Sequence, residues 1–91
     1  MNSIVQENKE CFVCHTTTGL HDHHIFFGAN RKWSEKYGLK VWLCGRDHNL
    51  SNEGVHFNRK LDLYIKRIGQ KAFEEKYSRE KFMQIFGKNY L

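Results

Sequence analysis

The stretch His21-Asp22-His23-His24-Ile25-Phe26-Phe27-Gly28 decides how the rest of this 91-residue chain must be arranged. Four side chains that can bind a metal or move a proton are followed directly by three large apolar side chains. Alternation along an extended chain places His24 and Phe26 on one face of a strand. His23 and Ile25 then lie on the opposite face. The apolar run anchors the polar cluster in a core and holds it rigidly, as a catalytic or metal site requires and a solvated tail does not.

The length of the chain limits it to one small domain, and domains near this size are commonly stapled by disulfides or a metal. Residues 1–9 are polar without a period and predict a flexible lead, so the domain spans residues 10–91. No apolar run approaches the roughly 18 residues of a membrane span, and the chain start has no signal-peptide core. We therefore expect a reduced, cytoplasmic setting without a membrane partner, in which cysteines indicate metal.

Two pairs of potential zinc ligands lie on either side of the histidine stretch. Cys11 and Cys14 form a Cys-x2-Cys knuckle, and after a 29-residue gap Cys44 and His48 form a Cys-x3-His pair. Two short-spaced pairs from two loops suit the tetrahedral geometry of zinc with little strain. These four side chains therefore predict a structural zinc, with three buried free thiols as the alternative. Asp47 or a water could take the fourth place if His48 instead faces the histidine cluster.

Two segments alternate like half-buried strands. Residues 23–27 form the first, and residues 39–44 form the second. The second would pair antiparallel with the first and deliver Cys44 beside the knuckle. The polar connection between them is predicted to contain a helical turn, with Ser34 as its N-cap and Gly38 as its end.

The second half of the chain is predicted to be helical. From about Phe57, apolar residues follow the i, i+3, i+4, i+7 spacing of one helix face. Ser78 is typical of the N-cap of a short helix over residues 79–86, which Gly87 ends. The long helix and the short terminal helix would together close the core of an α+β domain. The apolar face of the long helix comprises Leu61, Tyr64, Ile65, Ile68, Ala72 and Phe73.

The formal net charge of +5 indicates an acidic partner. Ten basic residues against four acidic ones lie between Arg31 and Lys71, so the excess is in the body of the domain. DNA is the natural candidate, and its backbone phosphates rather than its base edges would be contacted. The side chains expected at the phosphates are those of Arg31, Lys32, Lys36, Arg59 and Lys66.

The order of these parts resembles the HNH, or ββα-metal, nucleases. Those proteins combine a cysteine pair, His-His-Ile on a strand, a Leu-Cys strand, and a histidine near the start of a helix. Four segments resemble more closely the phage recombination-enhancement nucleases of the RecA-dependent type. The resemblance covers roughly residues 11–90 and implies a zinc-stapled ββα-metal fold. The segments are His-His-Ile-Phe-x-Gly at 23–28, Asn-Arg at 30–31, Ser-Glu-Lys-Tyr-Gly at 34–38, and Gly-Val-His at 54–56.

The resemblance also implies roles for single residues. His24 would be the general base that activates water, while His23 and His56 would bind a divalent catalytic metal such as Mn²⁺, Ni²⁺, Co²⁺ or Mg²⁺. The family's middle Asn usually lies just before the second strand, where this chain has Gly38-Leu39. Asn30 is the candidate to orient the base in its place. A phage or prophage origin and a recombination or other activating protein as a further partner are implied as well.

The chemistry also follows from the residues themselves. Phosphodiester hydrolysis needs a base for water, a cation at the scissile phosphate and a stabilised leaving oxygen. An imidazole with a pKa of about 6.5 is available as a base at pH 7. We therefore expect a metal-dependent DNA endonuclease, a monomer that nicks with little sequence preference.

Two other classes of function remain open. A catalytically inactive, zinc-stabilised module could bind nucleic acid or protein, although binding requires neither a base nor a second metal site. A zinc-ribbon transcription or adaptor factor would carry a second Cys-x2-Cys pair, where this chain has Cys-x3-His. At single residues, His24 could be a core histidine bonded to a backbone carbonyl, and His21 and Asp22 could form a solvated strand start.

Overall fold

A computed structural model of the protein describes residues 2–45 and 58–91. Over these two ranges the chain folds into a two-stranded antiparallel sheet and three α-helices, which confirms the α+β class. None of the helices in this part of the chain is long and apolar enough to cross a membrane. In chain order the elements are β1 (Leu20–His24), α1 (Arg31–Tyr37) after a 3₁₀ turn (Gly28–Asn30), β2 (Lys40–Cys44), α2 (Arg59–Lys76) and α3 (Arg79–Phe86).

The antiparallel pairing of the two strands is confirmed, and its register determines where the polar side chains lie. His24 is opposite Lys40, and His23 is opposite Val41. Because neighbours on a strand point to opposite faces, the two histidines lie on different faces of the sheet. Val41 and Leu43 on the His23 face are fully buried, so that face is the core side.

The first strand spans residues 20–24 rather than the predicted 23–27, so it lies closer to the N-terminus than expected. Its end follows from the main chain of Phe26, which bonds to a side chain instead of a neighbouring strand. The N–H of Phe26 donates to Ser34 Oγ at 2.9 Å, and that hydroxyl donates back to the Phe26 carbonyl at 2.7 Å. Ile25 still donates its N–H to the Leu39 carbonyl at 2.9 Å, so the chain turns toward α1 at Phe26.

The same hydroxyl explains why the predicted start of the next helix was wrong. α1 begins at Arg31, and Ser34 is a fully buried residue inside it rather than its N-cap. The N-cap position belongs to Asn30, whose side chain makes no capping hydrogen bond. Gly38 ends the helix as predicted, with a left-handed φ of 69°. A Cβ at Gly38 would lie 3.2 Å from the backbone oxygen of Asn2, so this turn requires glycine.

Side-chain caps start both C-terminal helices. Asn58 caps α2 by accepting the N–H of Leu61 at 3.1 Å. Ser78 caps α3 by accepting the N–H of Lys81 at 3.1 Å, and Gly87 ends that helix, both as predicted. Such caps satisfy N–H groups that have no partner within the helix.

An aromatic core joins the end of β1 to the helices. The ring of Phe26 lies 5.5 Å from that of Phe82 and 4.6 Å from that of Phe86, between centroids. Gly69 lets α2 approach this region closely, since a Cβ there would lie 3.1 Å from Ile25 Cγ2. The expectation that α3 covers the open end of the core is therefore confirmed.

One side chain of α2 was assigned to the wrong environment. Tyr64 fits the apolar spacing but is 57% exposed, whereas the polar Gln70 is fully buried. The oxygen and the nitrogen of the Gln70 side-chain amide both form hydrogen bonds with residues near the C-terminus. Its oxygen accepts the Tyr90 N–H at 2.8 Å, and its nitrogen donates to Asn89 Oδ1 at 2.9 Å. Periodicity alone does not reveal a core position of this kind.

The predicted flexible lead contacts the outer edge of β2. Ser3 Oγ donates to the carbonyl of Lys40 at 2.6 Å, and Gln6 Oε1 accepts the N–H of Trp42 at 2.8 Å. These bonds occupy backbone groups that would otherwise form an open strand edge. Ser3 and Gln6 are therefore bound to the strand, through side-chain to backbone contacts that leave no periodic pattern in the sequence.

The Ser34 hydroxyl should be important for stability. Ser34→Ala leaves a buried N–H and a buried C=O of Phe26 without partners, so we expect a loss of about 2–4 kcal/mol in unfolding free energy. Lys71→Ala, at an exposed position of α2, should change it by less than about 0.5 kcal/mol. Urea unfolding of the metal-loaded protein measures both. Equal stability of the two variants would show that water replaces the hydroxyl.

Candidate functional site

The Cys11–Cys14 pair meets Cys44, which is 30 residues further along the chain than Cys14, at the end of β2. Their Sγ atoms all lie within 4.8 Å of one another, and those of Cys14 and Cys44 are 3.6 Å apart. Two thiolates on one tetrahedral zinc lie about 3.8 Å apart, given a Zn–S distance of about 2.3 Å. All three cysteines are free thiols. Cys11, Cys14 and Cys44 could thus together hold a metal such as zinc.

The backbone around the first cysteine pair has the shape of a metal knuckle. The N–H of Cys14 points at Cys11 Sγ at 3.5 Å, and the N–H of His15 donates to the carbonyl of Cys11 at 2.9 Å. His15 has a left-handed φ of 66°, a conformation that β-carbon-bearing residues rarely adopt. This strain closes the turn that brings both thiols to one side. His48 and Asp47, the predicted sources of the fourth ligand, lie outside the described residues.

His24 lies in a charged network on the sheet face opposite the core. Its ring is 8% exposed, and its Nε2 donates to Glu35 Oε2 at 2.7 Å. Lys40, directly across the sheet, donates to Glu35 Oε1 at 3.1 Å, and its Nζ lies 3.8 Å from Asp22 Oδ2. The partner of His24 is therefore a carboxylate, not the backbone carbonyl of an ordinary core histidine. Asp22 makes its described ion pair with Lys40.

Glu35 is the residue of this site that the sequence did not single out. It lies on α1, one residue after Ser34, whose hydroxyl fixes that helix against Phe26. The pKa of the Glu35 carboxyl is lowered, first by the hydrogen bond from His24 and then by that from Lys40. Asn30, expected to orient His24, lies in the 3₁₀ turn before α1. The described hydrogen bond of the His24 side chain is instead donated to Glu35.

His23 lies on the core side of the sheet, 2% exposed, with its ring centroid 6.0 Å from that of Phe27. Its predicted partner in the catalytic metal site, His56, lies outside the described residues. The two-histidine metal site therefore stays a prediction. Across residues 2–45 and 58–91, three or more potential metal ligands come within reach of one ion only at the three cysteines.

The basic residues predicted to contact DNA fall into two kinds. Arg31, Lys32, Lys36 and Arg59 are exposed. Lys66 is different, because its Nζ pairs with Asp62 Oδ2 at 2.9 Å and lies 4.4 Å from the ring centroid of Phe27. Its charge is therefore already neutralised within the domain.

Side chains of α1 combine with Tyr77 and with Lys81 of α3 into a surface that we call the lysine–aromatic face. Lys36 lies 5.6 Å from the ring centroid of Trp33, and Lys81 lies 4.5 Å from that of Tyr77. Within the described ranges, the lysines of this face form no ion pair with an acidic side chain. Their charges are therefore available to an anionic partner. The face comprises Lys32, Trp33, Lys36, Tyr37, Tyr77 and Lys81.

Comparison with known proteins adds no relative. No family model matches the chain, no curated protein matches it, and no solved structure matches it. The resemblance to HNH nucleases accordingly rests on the motifs within residues 11–90 alone.

Removal of one thiol should abolish metal binding and folding together. Structural zinc contributes on the order of 10–16 kcal/mol in apparent binding free energy, against a net domain stability of about 5–15 kcal/mol. Cys14→Ser should therefore lose its zinc and most of its folded fraction, measured by elemental analysis and circular dichroism. His15→Ala, in the same turn, should keep one zinc per chain. A Cys14→Ser protein with full zinc content and full stability would contradict a cysteine-bound metal.

The Glu35 ion pairs should make a pH-dependent contribution to stability. Because the folded-state pKa of Glu35 is lowered, this contribution is complete above the unfolded carboxyl pKa of about 4.3. It disappears as the pH falls through the lower, folded-state pKa. Melting temperatures of the wild type and Glu35→Gln should therefore differ above about pH 5 and converge toward pH 3. A difference that stays constant across this range would show that the ion pairs contribute nothing.

Proposed function

We propose that this chain is a metal-dependent endonuclease of the HNH, ββα-metal type, which hydrolyses DNA phosphodiester bonds. The observation that carries the proposal is the setting of His24. A nearly buried imidazole at the end of a strand is hydrogen-bonded to a carboxylate, and the paired strand leads to a cysteine cluster suited to zinc. A histidine held in this way is a candidate general base.

In the proposed reaction, His24 takes a proton from a water molecule. The water oxygen forms a bond to phosphorus, the bond from phosphorus to the 3′ oxygen breaks, and the leaving oxygen takes a proton from solvent. His24 then returns its own added proton to solvent. A divalent metal bound by His23 and His56 would stabilise the charge on the phosphate and the departing oxygen. Two imidazoles suit Mn²⁺, Co²⁺ or Ni²⁺ better than Mg²⁺, which prefers oxygen ligands.

The strand geometry supports one position for the proposed substrate. His23 and His24 are neighbours in sequence but lie on opposite faces of the sheet. A phosphate within reach of both would lie beyond the end of β1 rather than over either face. The lysine–aromatic face begins on α1, the helix that also carries Glu35, so DNA bound there would run toward His24.

A second candidate function is a catalytically inactive, zinc-stabilised module that binds nucleic acid. The lysine–aromatic face favours it, because unpaired lysines beside partly exposed rings can bind phosphates and bases without any chemistry. The two candidates share the fold and the zinc, and they differ only in whether the bound strand is cut.

Cleavage of supercoiled plasmid distinguishes these functions. With Mn²⁺, the wild type should convert supercoiled DNA to open circles well before linear molecules form, since a monomer has one reactive cluster. His24→Ala should lower the rate by roughly 10²–10⁴-fold, the usual effect of removing a positioned base. His21→Ala, on the same strand, is the control and should retain most activity. Undiminished cleavage by His24→Ala would remove His24 from the mechanism, and no cleavage by the wild type would favour the binding module.

DNA affinity should depend on the unpaired lysines more than on the paired one. Lys36→Ala should weaken binding to all sequences alike and reduce the log–log salt dependence by about 0.9, the value for one phosphate contact. Lys66→Ala should have a smaller effect on the slope, because its ammonium already pairs with Asp62. Fluorescence anisotropy at several salt concentrations measures both variants. A larger slope change for Lys66→Ala would place the DNA on another surface.

A further inference from the structure

We propose that Glu35 is the positioning residue of the general base and that Lys40 holds Glu35 in place. The inference rests on the proposed function, in which His24 takes the proton from water. It assigns the role of orienting His24 to a residue of α1. The motif resemblance suggests instead Asn30 or a residue just before β2.

The hydrogen bond between His24 and Glu35 determines which ring nitrogen can act. A carboxylate has only acceptor atoms, so the 2.7 Å contact requires that His24 Nε2 carry the hydrogen. A neutral imidazole has a single N–H, and its other nitrogen is then an acceptor. Glu35 therefore assigns Nδ1 of His24 as the atom that accepts the proton of water. The ring has little room for another orientation, because it is only 8% exposed.

Lys40 explains how an exposed glutamate can hold a buried ring. The Glu35 side chain is 58% exposed, and an unrestrained carboxylate at such a position would sample several rotamers in water. The Lys40 side chain is only 6% exposed, and its Nζ lies 3.1 Å from Oε1 and 3.0 Å from Oε2. A buried ammonium needs a counter-charge, so this contact is hard to break. The sheet register places Lys40 opposite His24. The two side chains that donate to the Glu35 carboxylate are therefore both held by the sheet.

The conservative variant Glu35→Gln sharpens the test. Oε2 is the oxygen within reach of both donors, 2.7 Å from His24 and 3.0 Å from Lys40. The single amide oxygen of glutamine should occupy that place and still accept from Nε2–H. Glu35→Leu leaves an apolar side chain that is one atom shorter and removes every acceptor. Glu75→Leu, at an exposed position of α2, is the matched control.

The first readout is the ring N–H proton of His24 in NMR spectra of the full, zinc-loaded chain. Hydrogen bonding and burial should protect it from exchange with water, and its correlation to a ring nitrogen should identify Nε2. The signal should persist in Glu35→Gln and Glu75→Leu and disappear in Glu35→Leu. A wild-type proton on Nδ1, or an unchanged signal in Glu35→Leu, would overturn the proposal.

The second readout is plasmid cleavage. Loss of orientation should lower kcat of Glu35→Leu by roughly 10- to 100-fold with little change in KM, while Glu35→Gln stays within a few-fold of the wild type. Urea unfolding confirms that each variant is folded. An unchanged kcat in Glu35→Leu would overturn the proposal even if the proton signal is lost. If the wild type does not cleave DNA but its proton signal depends on Glu35, the nuclease function fails while the contact stands.

Discussion

The approach of three sulfur atoms at the end of β2 is the constraint on which the rest of the structure depends. Cys44 ends the second strand and lies opposite Leu20, the first residue of β1, so the cluster also borders the start of the first strand. Ionised thiols at this spacing repel each other unless a cation lies between them. A metal here would therefore clamp the knuckle to the sheet, in a domain whose own core is small.

The metal clamp and the sheet register would together determine the geometry of the histidine site at the other end of the strands. Once Cys44 is fixed opposite Leu20, the antiparallel ladder places Lys40 opposite His24. The chain then turns at Phe26 and returns as α1, whose Ser34 bonds to that turn and whose Glu35 reaches the imidazole. A metal at one end of the two-stranded ladder can thus control geometry at the other end, because the ladder is only five residue pairs long.

Local signals made much of this fold predictable from the sequence. Caps such as Ser78 and ends such as Gly38 obey rules that need only neighbouring residues, and the alternation before Cys44 correctly predicted β2. Ser34 was misinterpreted because serine is a common N-cap, whereas here its hydroxyl is used by a turn eight residues earlier. Glu35 could not be found this way, because its role depends on a buried lysine from another element. Tertiary contacts between polar side chains leave no period in the sequence.

Zinc K-edge X-ray absorption on the full chain carrying one zinc per chain tests the central claim most directly. That claim is that Cys11, Cys14 and Cys44 jointly hold the metal that organises the domain. The account predicts about three sulfur ligands at about 2.3 Å and one nitrogen or oxygen ligand at about 2.0–2.2 Å. A first shell with only nitrogen and oxygen ligands, or with fewer than three sulfurs, would contradict it.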